Sequence, residues 1–409
     1  MDRNLDGYQQ VGLSSAAIAA IDRPIERANG LPNVAYLSTD FLHLEFERLF
    51  APGWACVAFA SEAPRPGDVK PFVFLGVPLI LVRDKMGELR VFHNVCSHRG
   101  LRLVERPCSK LKIIRCPYHS WSYDLAGALR ATPSIGGPGK NQVDGFDPGQ
   151  AGLRSVRAAV WHDLIFVNIS GTAVPFEKFV KPLEERWRAY DLSRFASYTS
   201  GPAFEITLAA NWKLAIENTS ESYHLPWVHP GLNSVSRLED HYHIVADSFC
   251  GQGSRAYAPP PDEARLPRLN GISDAEAQNA EYVTLFPNVH IGVHSDQMFA
   301  MIVEPLAPDL TRERIGLYYV GEGASSEAFA ERRVENARWW NEVFVEDQGV
   351  VEGMQRGRQS PAFLGGRFSP VMDLPTHHFH RWVARRAGSD GHAVRLGVLA
   401  AAPDAVSTR

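Results

Sequence analysis

Two short residue pairs in this chain could hold a metal. Cys96-Ser-His98-Arg-Gly is followed, with seventeen residues between His98 and Cys116, by Cys116-Pro-Tyr-His119-Ser-Trp. Two thiolates and two neutral imidazoles are a ligand set. A structural zinc site can use two Cys and two His, but zinc fingers group the thiols in one pair and the imidazoles in the other. Here each pair is mixed. The mixture suits a [2Fe–2S] centre with one iron on two Cys and the other on two His; neutral imidazoles raise its potential above that of an all-Cys cluster. Four unrelated core residues are the bland alternative, and the repetition of the mixed pair argues against it.

A second set lies downstream. Asn211 to His224 reads as a helix, and at about 100° per residue Glu217, Asn218, Glu221 and His224 share a face. Trp212, Ile216 and Tyr223 lie opposite. A solvated polar face is the ordinary reading of such a stripe. The sequel, Leu225-Pro-Trp-Val-His229-Pro230, suggests more. Pro226 disrupts the helix, so the chain can turn His229 back toward His224. Two imidazoles and a carboxylate would complete a triad with open positions for oxygen. Glu221 is near in sequence. Asp347 is distant but sits in an apolar helical stripe of Trp340, Phe344, Val351 and Met354, with Glu342, Glu346 and Glu352 outside it. An unpaired carboxylate facing a core costs several kcal/mol, and a metal ion removes that cost. An Asp paired with an Arg, or capping a loop, is the alternative.

The elements that must position these groups can be read from periodicity. Ser38 or Thr39 can cap a helix with Leu42, Phe46, Leu49 and Phe50 on one face, ending before Pro52. Leu79–Arg83 and Leu89–His93 read as a hairpin that delivers the first pair. Leu111–Arg115 leads into the second pair, Trp121–Leu125 leads out, and Val156–Ile169 returns as strands. Residues 132–152 are a Gly/Pro-rich loop. Residues 171–409 alternate helix and strand patterns. Gly251-Gln-Gly-Ser-Arg-Ala256 mimics a dinucleotide fingerprint, but three prolines at 259–261 follow where a helix should open. No nicotinamide site is therefore expected in this chain.

Both ligand sets together resemble the catalytic alpha subunits of Rieske non-haem iron oxygenases. The resemblance spans nearly the whole chain, from Ser38 to Phe379-His-Arg-Trp-Val. It implies an α+β fold: an antiparallel-β Rieske [2Fe–2S] domain, and a helix-grip (START-like) catalytic domain with an antiparallel sheet and a long C-terminal helix. The expected division is an N-terminal arm and helix over 1–44, the Rieske domain over 45–170 and the catalytic domain over 171–409. Cys96, His98, Cys116 and His119 would hold the cluster, and His224, His229 and Asp347 a ferrous ion. Glu221 would bridge a cluster histidine of one chain and an iron histidine of the next, along the path His119, Glu221, His224. Many members have Asp at that bridge and Gly at Ser120. The glutamate resembles the branch acting on carnitine, choline, glycine betaine and similar quaternary amines. Glu217 has no settled role. The resemblance further implies dioxygen as cosubstrate, electrons from NAD(P)H through a separate reductase or ferredoxin, and a homotrimer. The expected reaction is hydroxylation or oxidative demethylation of a small molecule.

Composition fits that picture. With 409 residues, 45% apolar and 22% charged, the chain is ordinary for a soluble protein of two or three domains. The net charge of −4, with no basic run, points to neither nucleic acid nor a membrane. Cys56, Cys108 and Cys250 are expected to be reduced, buried thiols. The polar N-terminus lacks the order of a signal peptide, and a cytoplasmic protein is expected. For the substrate, Trp227, Tyr242, Phe249, Tyr257, Phe286, His294 and Phe299 are candidate walls. They could cage a quaternary ammonium by cation–π attraction. They could equally flank an aromatic acid, with Arg237 or Arg255 on its carboxylate. A Rieske electron carrier without oxygenase activity is the rival of another class, and a zinc-stabilised binding module a further one.

Overall fold

The structure is a computed structural model that describes residues 12–258 and 266–388. It divides into two compact units. Among the described residues one holds 57–171; the other joins 12–56 to 172–258 and 266–388. The triple proline at 259–261 lies outside the described residues. Among the described residues no helix is long and apolar enough to cross a membrane.

The smaller unit is built on an antiparallel sheet in the order Ala55–Phe59, Leu164–Asn168, Ser155–Trp161, Leu89–His93, Val77–Arg83, Val69–Phe74. The hairpin Val77–Arg83 to Leu89–His93 forms as its pattern requires, pairing Leu79 with His93 and Arg83 with Leu89. A second, small sheet joins Ile114–Arg115, Ser122–Tyr123 and Leu129–Ala131. Its strands are shorter than the sequence runs, because the flanking residues are spent on the loops that carry Cys116 and His119. The core between these sheets includes Ile80, Val82, Phe92, Ile114, Trp121 and Tyr123, with Cys96 and Cys116 buried among them. Of the remaining thiols Cys56 and Cys250 are buried, but Cys108 is half-buried, at the edge of this core.

The larger unit is an antiparallel sheet in the order Phe195–Ser197, Leu310–Val320, Gln297–Ala307, Val289–Val293, Ala280–Leu285, Phe249–Ser254, His241–Ala246. Phe204–Leu208 also pairs with Leu310–Val320. The Gly251–Ala256 stretch runs through one of these strands, which excludes a nucleotide-binding turn there. Against the sheet lie the helix Trp212–Ser220, the 28-residue helix Ala330–Gly357 and the helix Leu374–Ala387. The N-terminal helix Thr39–Glu45, capped by Ser38, continues as a π-turn over Phe46–Phe50 and belongs to this unit.

Two buried charge clusters fix Trp212–Ser220 in place. At its start Lys213 Nζ is 2.7 Å from Glu45 Oε1, both side chains are fully buried, and Trp212 Nε1 donates to Glu45 Oε2 at 2.8 Å. Further along, Glu217 Oε1 accepts from Tyr36 Oη at 2.5 Å and lies 3.1 Å from His380 Nε2, with Arg358 3.5 Å from its other oxygen. His380 Nδ1 accepts from the Leu31 N–H, so Nε2 must carry the ring proton. Burial alone would raise the Glu217 pKa; His380 and Arg358 outweigh it and hold the carboxyl below its usual value. Glu217 therefore pins the helix to the N-terminal segment and to the C-terminal helix, not to a metal.

Removing one partner of a buried pair strands the other charge, at about 3–5 kcal/mol. Lys213→Met should lower the thermal midpoint strongly, and adding Glu45→Leu to it should recover most of the loss. A Lys213→Met protein that melts with the parent would show that the pair does not anchor the helix.

Candidate metal centres and substrate pocket

The two Cys/His loops share one backbone plan. Cys96 N–H donates to Leu101 O at 2.8 Å, and Cys116 N–H donates to Trp121 O at 2.8 Å. In each loop the residue four beyond the Cys donates back to it, Gly100 to Cys96 O and Ser120 to Cys116 O, both at 3.0 Å. Closing that turn needs a left-handed residue: Gly100 has φ +71° and Ser120 +60°. This is the physical meaning of Ser120. The position asks for glycine, and the serine takes on the strain of a conformation that L residues avoid. Buried Asn94 ties the first loop down, accepting from Leu103 and Val104 N–H at 3.1 and 3.0 Å and donating to Val104 O at 2.7 Å.

The plan brings His98 beside His119 and Cys96 beside Cys116. The His98 and His119 rings have centroids 4.7 Å apart, and Trp121 stacks on His98 at 4.7 Å. Burial pushes the Cys116 thiol up, and Cys96 beside it adds to the effect. Tyr123 Oη stands 3.2 Å from Cys96 Sγ and accepts from the Ser97 N–H at 3.1 Å. His119 Nδ1 is buried and has no hydrogen-bond partner. Neighbouring buried thiols and an orphaned imidazole nitrogen fit a metal cluster and fit no hydrogen-bonded protein core.

The second set is assembled where a helix stops. Trp212–Ser220 ends four residues before His224, and Glu221 takes an extended conformation, φ −127° and ψ 163°. The single helix expected over 211–224 is thus not formed. Short turns follow at Leu225–Val228 and Pro230–Val235, each with a proline in its first positions. His224 precedes the first and His229 sits between the two. The ligand atoms of His224, His229 and Asp347 all lie within 4.8 Å of one another, an arrangement that could hold a metal ion. His229 Nε2 is 2.9 Å and His224 Nε2 3.7 Å from Asp347 Oδ1. The opposite ring nitrogens are each held by an acid: His224 Nδ1 by Glu221 at 2.6 Å, His229 Nδ1 by Glu346 at 2.7 Å. Asn218 Nδ2 donates to Asp347 Oδ1 at 3.1 Å. Burial would lower the His229 pKa, but Asp347 and Glu346 outweigh it and raise it. The site therefore favours positive charge, which a ferrous ion supplies.

Glu346 lies outside the apolar stripe and is not grouped with the three candidate ligands, but it holds His229 from behind, a role its sequence position does not mark. A ligating histidine needs a partner on its other nitrogen, and the residue before the third ligand is the one within reach.

The pocket beside Asp347 is lined by Tyr282, Phe299, Trp340 and Phe344, with His241, Gln252 and His290 among its polar groups. Gly292 makes room for it: a Cβ there would stand 2.2 Å from the Phe299 ring. Of the seven walls expected from sequence, only Phe299 lines the pocket. Tyr257 and His294 pack behind Tyr282, with ring centroids 4.4 Å apart. Trp227 is 71% exposed, Phe286 packs on Trp382 and Phe379, and Tyr242 bonds Glu281 and Asn279. Phe249 is buried in its strand outside the lining. Arg237 pairs with Glu239, and the Arg255 guanidinium lies 4.4 Å over the Tyr242 ring, so neither is a pocket residue.

Comparison with known proteins agrees with this layout. Residues 53–146 match the Rieske [2Fe-2S] domain family, and residues 195–389 match the ring hydroxylating alpha subunit (catalytic domain) family. Choline monooxygenase of Arabidopsis thaliana is 28% identical over 374 residues, covering 87% of this chain and 82% of that protein. The carnitine monooxygenase oxygenase subunit of Escherichia coli K12 is 27% identical over 372 residues, 87% of this chain and 93% of that protein. Among solved structures, a quaternary ammonium Rieske monooxygenase superposes with a TM-score of 0.75 at 23% identity, covering 90% of this chain and 98% of that chain. Naphthalene 1,2-dioxygenase from Rhodococcus sp. gives 0.71 at 17%, over 91% and 98%.

Relieving the left-handed serine should stabilise the cluster loop. Ser120→Gly should raise the melting temperature of the Rieske unit by an amount equivalent to about 1 kcal/mol, measured by calorimetry, with the cluster absorbance unchanged. A fall in stability would mean that the hydroxyl matters more than the backbone.

Proposed function

We propose a reaction from one premise: the chain belongs to the ring-hydroxylating oxygenase alpha subunits that carry a Rieske [2Fe-2S] domain. It is the terminal oxygenase of a system that spends dioxygen and reducing equivalents from a separate NAD(P)H-dependent reductase or ferredoxin. Its substrate is a small molecule, which we take to be a quaternary ammonium compound, hydroxylated or oxidatively demethylated. The observation that carries the reading is the pair of imidazoles converging through Nε2 on Asp347 while acids hold both Nδ1 atoms.

Each side chain has a task. His224, His229 and Asp347 would hold one ferrous ion, and Cys96, Cys116, His98 and His119 the cluster. Bound together, the two centres supply one-electron transfer and the activation of dioxygen beside the substrate. Glu221 and Glu346 keep protons on Nδ1, so that Nε2 is free for the metal and each ring is locked in one orientation. Tyr282, Phe299, Trp340 and Phe344 offer ring faces to a quaternary cation. Choline and carnitine monooxygenases being relatives over most of the chain supports this choice of substrate class.

Electrons would arrive from a neighbouring copy through Glu221. The carboxylate already binds His224 Nδ1, and on the Rieske unit Tyr118 and Leu101 leave 56% and 39% of their surface exposed near the histidines. That exposure suits docking on another surface. We therefore propose a closed ring of three chains. The buried free thiols Cys56 and Cys250 suit a reducing, cytoplasmic setting.

Asp347→Ala should keep the red-brown cluster spectrum but lose one of three irons per chain and all substrate-dependent oxygen uptake. Retention of the third iron by metal analysis would remove Asp347 from the site. Glu221→Gln should retain all three irons and the trimer by sedimentation, yet slow cluster oxidation in a single turnover by at least about tenfold, the weight of one charge-assisted hydrogen bond. Unchanged rates, or an active monomer, would contradict a route between chains.

A further inference from the structure

The pocket also says what the far end of the substrate carries. Among the described residues lining it there is no lysine or arginine. Its acids, Glu221 and Asp347, face the imidazoles, so the side chains of the lining give a carboxylate no cationic partner. A carboxylate moved from water into such a lining would remain an unpaired buried charge.

In that wall and directly behind it stand polar groups that are neutral and unused. Tyr282 lines the pocket, is 5% exposed, and its buried hydroxyl has no hydrogen-bond partner. His294, 1% exposed, has neither ring nitrogen bonded. Sheet register puts them on one face. Tyr282 pairs with Gly292, Gly292 pairs with Phe299, and His294 stands two residues beyond Gly292. The His294 ring lies 5.4 Å from Tyr282 and 5.6 Å from Trp340, both of them pocket walls. Burial holds the His294 pKa down to about 3, so the imidazole is neutral and offers one donor and one acceptor. Buried polar groups without partners are rare in folded proteins and cost stability unless something fills them.

Building on the quaternary ammonium reading, we infer that the substrate ends in an uncharged hydrogen-bonding group, a hydroxyl or carbonyl, which Tyr282 and His294 select over a carboxylate. The aromatic faces would take the cationic or apolar body, and the Tyr282 hydroxyl the polar end, with His294 continuing the chain of hydrogen bonds. A site built to bond a hydroxyl rejects analogues that leave its polar groups unpaired by larger factors than an apolar wall achieves.

Three quaternary ammonium compounds of graded polarity test this by calorimetric binding to the iron-loaded enzyme: choline, glycine betaine and tetramethylammonium. Choline should bind at least tenfold tighter than glycine betaine. Tyr282→Phe should cost choline about tenfold and leave tetramethylammonium unchanged, and His294→Phe should act in the same direction; unaltered melting and iron content verify that both variants fold. Glycine betaine binding as tightly as choline, or Tyr282→Phe weakening both choline and tetramethylammonium alike, overturns the inference. Benzyl alcohol against benzoate separates it from the function it rests on. If the three quaternary ammonium compounds fail to bind and only the aromatic pair distinguishes alcohol from acid, the quaternary ammonium reading falls and selection of a neutral end stands. If benzoate wins, both fall.

Discussion

The catalytic unit depends on one electrostatic arrangement: two imidazoles gripped on Nδ1 by acids so that both Nε2 atoms face a third acid. His224 is held by Glu221, His229 by Glu346, and both point at Asp347. Without a cation this is three carboxylates around two neutral rings, which is why burial fails to lower the His229 pKa. With a cation every member has a partner. The same grip sets tautomer and ring orientation, so the geometry for metal binding precedes the metal. The rest of the unit keeps the grip intact.

Helix termination achieves the convergence. A continuous helix would carry Glu217 and Glu221 side by side, one turn apart. Instead Trp212–Ser220 stops, Glu221 turns extended, and two proline-led turns follow. Glu221 then reaches forward to His224, while Glu217 remains in the helix and faces Tyr36, Arg358 and His380. Two acids that look equivalent by spacing thus do unrelated work, one at the metal and one in the scaffold.

What the sequence made legible follows from the range of each signal. The two Cys/His pairs and His224 with His229 sit in short motifs with prolines and glycines that dictate local turns, so type and spacing sufficed to single out Cys96, His98, Cys116, His119, His224 and His229 as candidates. Asp347 was readable as an acid inside an apolar stripe. The pocket was not readable, because its walls come from strands buried on both faces. Ala280–Leu285 and Val289–Val293 are buried at every position, so no alternation marks which side chains look inward. Phe249 and Phe286 resemble wall residues by type, yet Tyr282 and His290 hold those places. Trp340 and Phe344 were read as plain core although they face both the sheet and the pocket. Ser120 was likewise opaque, since a left-handed turn leaves no trace in a serine.

The distribution of buried charge explains how a rigid site can still offer a neutral interior. Ion pairs that anchor the site helix, Glu45 with Lys213 and Glu217 with Arg358 and His380, use residues that do not line the Asp347 pocket. Glu217, Arg358 and His380 line a separate cavity, which shares Glu221 and His224 with the candidate metal site. Inside the pocket the acids face the imidazoles, and the remaining polar groups are hydroxyl, amide, phenol and imidazole. A cationic substrate then meets ring faces instead of a repelling lysine or arginine, and an anionic one meets no partner. The preference for uncharged or cationic molecules would arise less from any single contact than from a lining that, among the described residues, holds no lysine or arginine.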